Sequence, residues 1–67
     1  MSTPKHPEIT VKLVGEDGNA FSILGKVKRA LRSGGVSDAE VSEFLEEATA
    51  GDYDHLLRVV MNWVNVE

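Results

Sequence analysis

Apolar and polar residues alternate from Glu8 to Val14: Ile9, Val11 and Leu13 fall on one side, Thr10, Lys12 and Val14 on the other. Together with the β-branched content, that period of two predicts one strand whose Ile9 side faces a core. The strand runs into a polar corner, GEDGN, bracketed by Gly15 and Gly18, and the period then changes to that of a helix. With about 100° per residue, Ala20, Ile23, Leu24, Val27, Ala30 and Leu31 share one arc of roughly 120°, with Phe21 at its edge. Lys26, Lys28, Arg29 and Arg32 lie across from it, so four of the seven basic residues share one exposed stripe. Asn19 is placed to cap this first helix, Glu16 and Asp17 stand near the positive end of its dipole, and Gly34 and Gly35 end it.

A second start signal follows, in which Ser37 and Glu40 occupy capping-box positions and Val36 with Val41 forms a hydrophobic staple. Val41, Phe44, Leu45 and Ala48 make the apolar side of a second helix, Glu40, Glu43, Glu46 and Glu47 the polar side, and Gly51 closes it. Asp52 caps a third helix, with Tyr53, Leu56, Leu57, Val60 and Val64 on its apolar side. Alternation returns at the end, and a short strand from about Trp63 is expected to pair with the first one, in a direction the pattern leaves open. The expected architecture is a small α+β domain over residues 8–67: strand, three helices, short strand, preceded by a flexible tail, 1–7. Its expected core is Ile9, Val11, Leu13, Phe21, Leu24, Val27, Leu31, Val41, Phe44, Leu45, Leu56, Leu57, Val60 and Val64.

Composition narrows the function more than it defines it. A chain of 67 residues without cysteine has neither a disulfide framework nor a thiolate metal site. No apolar run approaches the ~20 residues of a membrane span, and MSTPKHPEI lacks the apolar segment of a secretory signal, so a cytoplasmic protein is expected. The net charge of −4 argues against general affinity for nucleic acid. Nothing resembles a catalytic set: no cysteine nucleophile, no serine motif with a usable histidine, no carboxylate pair in a cleft. An enzyme is not expected, nor a cofactor or a small-molecule substrate.

Two clusters invite a chemical reading and are better explained by helix chemistry. The GEDGN corner precedes a helix N-terminus, where phosphates bind, yet its spacing fits neither nucleotide fingerprint and its two carboxylates repel a phosphate. As a calcium loop it fails at the twelfth position from Asp17, which is Lys28. Asp52, Asp54 and His55 offer metal-binding groups, but acidic residues belong in a first helical turn on dipole grounds, and the other histidine, His6, falls in the expected tail.

The remaining candidate is a partner surface composed of Lys26, Lys28, Arg29, Arg32 and, if it proves exposed, Trp63. The stretch from Asp38 to Asp54 holds seven acidic residues and no basic one, so the basic stripe of one molecule could meet the acidic surface of another. The leading expectation is a non-enzymatic protein-interaction module, homodimerisation through a free strand edge being one version. The alternative is a nucleic-acid-associated accessory protein using the basic face of the first helix, although no aromatic is expected among those cations to read bases.

Over nearly the whole chain from Ile9, the order of strand, GEDGNAF, amphipathic helix, GDYDHLL helix start and closing VNVE resembles a family of small uncharacterised bacterial and phage proteins with no assigned activity. The resemblance implies a free-standing prokaryotic protein and brings no functional residue with it. More weakly, the three short helices from Ala20 to Val64, with Asn62 and Trp63 late in the third, resemble the ubiquitin-associated domain. The resemblance departs at the first loop, where Ser33, Gly34, Gly35 and Val36 stand in place of the methionine, glycine and aromatic that make that family's contact.

Overall fold

The computed structural model describes residues 3–13 and 19–67. In chain order they form strand β1 (His6–Val11), helices α1 (Ala20–Ser33), α2 (Asp38–Ala48) and α3 (Tyr53–Trp63), and strand β2 (Val64–Val66). The expected α+β architecture is present. Val14 and the glycine-bracketed corner from Gly15 to Gly18 lie outside the described residues.

β1 and β2 pair in parallel, a direction that needs a long crossover, here supplied by the three helices. The register runs His6 to Val64, Thr10 to Asn65 and Val11 to Val66, so Pro7, Glu8 and Ile9 are accommodated in one irregular step. Proline has no N–H to give a ladder, which explains the break at Pro7. Around the break the chain is tied by the Lys5 N–H donating to the Asn62 carbonyl (2.8 Å) and by the Glu67 N–H donating to the Val11 carbonyl (2.9 Å). The first of these satisfies a carbonyl at the end of α3 that the helix itself leaves without a donor. β1 thus starts at His6, ahead of the expected Glu8, and Lys5 and His6, placed by the pattern in a tail, are held against α3.

The three capping residues read from the sequence act as such. Asn19 Oδ1 accepts from the Phe21 N–H (2.8 Å), Ser37 Oγ from the Glu40 N–H (3.3 Å) and Asp52 Oδ1 from the His55 N–H (2.9 Å). α1 ends in a Schellman arrangement, with the Val36 N–H donating to the Leu31 carbonyl and the Gly35 N–H to that of Arg32. Gly35 takes the left-handed conformation this requires, φ +87°. Gly34 does not; it is pressed by β1, since a Cβ there would stand 2.5 Å from Ile9 Cδ1.

The core sits between the sheet and the three helices. Ile9 and Val11 from β1, Ile23, Val27 and Leu31 from α1, Val41, Phe44 and Ala48 from α2, Leu56, Val59, Val60 and Trp63 from α3 and Val64 from β2 are buried. Leu13, Leu24, Leu45 and Leu57, expected inside, are only partly buried at its margin. Phe21 corrects the expectation: it is 85% exposed. The buried arc of α1 centres on Val27, and Phe21 lies about 120° from that centre at 100° per residue, on the far side of Leu24. Val59 was missed because the stripe was drawn from Tyr53; the buried set Leu56, Val59, Val60, Trp63 keeps the spacing i, i+3, i+4, i+7 and leaves Tyr53 at the rim.

Candidate functional site

Trp63 does not belong to a surface. It is 3% exposed, meets Phe44 edge to face at a centroid distance of 5.5 Å and donates its Nε1–H to Glu47 Oε2 at 3.2 Å. His6 lies 5.9 Å from the indole, and Lys5 Nζ stands 4.4 Å over it while pairing with Glu40 Oε1 at 3.3 Å. His6 Nε2 is 3.3 Å from Glu40 Oε2 but not aligned as a hydrogen bond, leaving that buried nitrogen without a hydrogen-bond partner. Every face of the indole is occupied by its own chain, so the expected contact role at Trp63 is withdrawn. A buried Trp whose N–H finds an acceptor finishes a core.

The wheel predicts one exposed basic stripe on α1, and the structure keeps two of its four residues fully on the side away from the core. Arg29 and Arg32 are exposed, whereas Lys26 and Lys28 are half-buried along the flanks. Arg32 Nε is 3.6 Å from Asp38 Oδ1, a solvent-exposed pair of small energetic weight. Lys28 and Arg29 make no ion pair among the described residues.

What the sequence reading missed is that the exposed Phe21 stands on this same face. Phe21, Gly25 and Arg29 succeed one another at a spacing of four, one helical turn apart. A shallow depression is lined by Phe21, Ser22, Gly25, Lys26 and Arg29. Phe21 also borders a second concavity, an apolar groove of about 280 Å³ between the start of α1 and the α2–α3 junction. Its walls come chiefly from Ala20, Leu24, Ala48, Tyr53 and Leu56, with Asp52 the one charged residue in the lining. The wheel puts Phe21 at the edge of the apolar arc, and its position beyond Leu24 is the signal that separates it from the core.

Gly25 adds to the picture. It sits mid-helix and exposed, and a Cβ there would meet nothing within 4 Å. No packing inside the molecule requires it, although glycine mid-helix is less favourable than alanine by roughly 0.5–1 kcal/mol. It leaves the backbone of α1 open to close approach from outside.

The other candidates are accounted for locally. Asp52 caps α3 and His55 Nε2 contacts the Glu47 carbonyl at 2.8 Å. Gly51 is glycine because a Cβ would come within 2.7 Å of the His55 ring. Among the described residues, no group of three or more His, Asp or Glu side chains is placed to hold a metal ion, and no helix is long and apolar enough to cross a membrane. The sheet edges are weak docking sites: β2 is three residues long, and β1 carries Pro7 and the register break.

Compared with protein-family models, curated proteins and solved structures, the chain matches none. The resemblances noted from sequence lend it no function, and the surface itself is what can be read.

Proposed function

We propose that this protein is a non-enzymatic interaction module that binds another protein surface through the outward face of α1. The observation that carries this reading is Phe21: an aromatic 85% exposed, between an apolar groove and a cationic stripe. Large apolar side chains beside concave apolar surface and a charged rim are the composition of contact anchors. The groove supplies room for an apolar side chain, while Arg29 and its neighbours supply orientation and steering. The test is retention of host proteins on the immobilised chain at low ionic strength, with Phe21→Ala and Arg29→Glu run alongside. Partners lost from both variants, further copies of the chain included, support the reading; partners held equally by all three chains, or a chain that retains neither host proteins nor copies of itself, oppose it.

One observation favours a second reading, in which the same face holds single-stranded nucleic acid. Phe21 lines a depression together with Lys26 and Arg29, and an aromatic among cations is a stacking platform beside phosphate contacts. The acidic surface from Asp38 to Asp54 and the net charge of −4 weigh against it. Titration with an unstructured oligothymidylate at ~50 mM salt, where phosphate contacts are strong, should shift the Phe21 and Arg29 resonances if it holds; unmoved resonances dismiss it.

A further inference from the structure

We propose that the occupant of this face is a second copy of the same chain, docked about a two-fold axis with Phe21 of each protomer seated in the groove of the other. The inference rests on reading the α1 face as an interaction surface and names its partner.

The first argument is one of shape. A two-fold interface uses the same patch on both protomers, so that patch must carry both the projecting group and its receptacle. Phe21 projects and the groove beside it holds about 280 Å³; a cavity of about 150 Å³ is already large enough for benzene. A phenyl ring therefore fits, with space left for the partner's backbone to settle over Gly25, where no side chain intervenes.

The second argument is electrical, and it separates a second copy from other occupants. Along the patch, the acidic group is Asp52, in the lining of the groove on one side of Phe21. The apolar groove and Phe21 follow, and then Lys26 and Arg29 beyond Gly25. Turning this order by half a revolution about its apolar middle lays the basic end of one protomer on the acidic end of the other. An acidic protein or a phosphate backbone would satisfy only the basic end and bring like charge against Asp52, which is unfavourable. The chain's own surface complements both ends.

Analytical ultracentrifugation of the purified chain, from micromolar to near-millimolar concentration and at low and raised salt, tests this. The expected result is a monomer–dimer equilibrium that weakens as salt rises. Phe21→Ala should weaken it by about tenfold or more, the effect of truncating a central aromatic anchor. Arg29→Glu should weaken it as well, and raised salt should then weaken the variant less than the parent, because the charge contact is already lost. These residues are exposed, and circular dichroism on each variant verifies that it folds. A monomer throughout at low salt overturns the proposal, as does a dimer indifferent to Phe21→Ala. If the chain is monomeric but still retains other proteins in a Phe21-dependent way, the self-association falls and the interaction reading stands; if it is monomeric and retains nothing, both fall.

Discussion

The molecule has two aromatic regions that were treated differently by the same chain. Around Trp63, the start of β1, the side of α2 and the end of α3 converge, so that the indole has Phe44 at its edge, Lys5 over its face and Glu47 on its N–H. Around Phe21, the ring stands outside the arc that α1 turns inward, beside a groove it does not fill. The difference teaches that burial here depends on which elements reach a position. Trp63 is reached by segments from both ends of the sequence; Phe21 is flanked by its own helix and by one helix junction.

Substitutions in the two regions should differ widely in their effect on stability. The largest effect is expected for Trp63→Ala, which removes a fully enclosed ring at a loss of ~3–5 kcal/mol. A domain of this size commonly holds only ~3–5 kcal/mol in all, so the variant should lack a cooperative melting transition by circular dichroism; a well-folded one would show that the Trp63 cluster is not the centre it is taken for. His6→Ala removes one neighbour of the indole and should lower stability by about 1 kcal/mol in urea titrations, the scale of a ring contact. Gly25→Ala should raise monomer stability by about 0.5–1 kcal/mol, since its Cβ meets open space and helix propensity improves. The smallest effect belongs to Phe21→Ala, which should leave the unfolding free energy from urea titration within about 0.5 kcal/mol of the parent. A loss well above that would mean that Phe21 does pack against the core, and the contrast would dissolve.

Much of the fold was legible because local chemistry decided it. Asn19, Ser37 and Asp52 are caps by side-chain chemistry alone, the glycine pair closes α1 through one left-handed residue, and the closing alternation marks β2. What was not legible depended on distant partners. His6 lies next to two prolines with no periodicity, and only the return of α3 to the same place gives it a role. Trp63, at the end of a helix, is enclosed only because Lys5, Phe44 and Glu47 come to it from elsewhere in the chain. The parallel direction of the sheet is set by where three helices deliver the chain, not by any residue in the strands. On the candidate surface, Arg29 and Arg32 face outward as the pattern expects, whereas Lys26 and Lys28 are half-buried on the flanks and Phe21 is exposed because the buried arc centres on Val27 and not on Leu24.

The pairing of β1 with β2 also has a consequence for how the polypeptide acquires its shape. Partners in that ladder, such as Val11 and Val66, are separated by more than fifty positions, so loop-closure entropy must be overcome before the ladder returns any free energy. During synthesis the three helices can form and collide while Ile9 and Val11 still lack the strand beside them. Completion then comes as a late zippering step, and a chain stopped just short of Val64 would be left with a two-residue apolar seam open to aggregation.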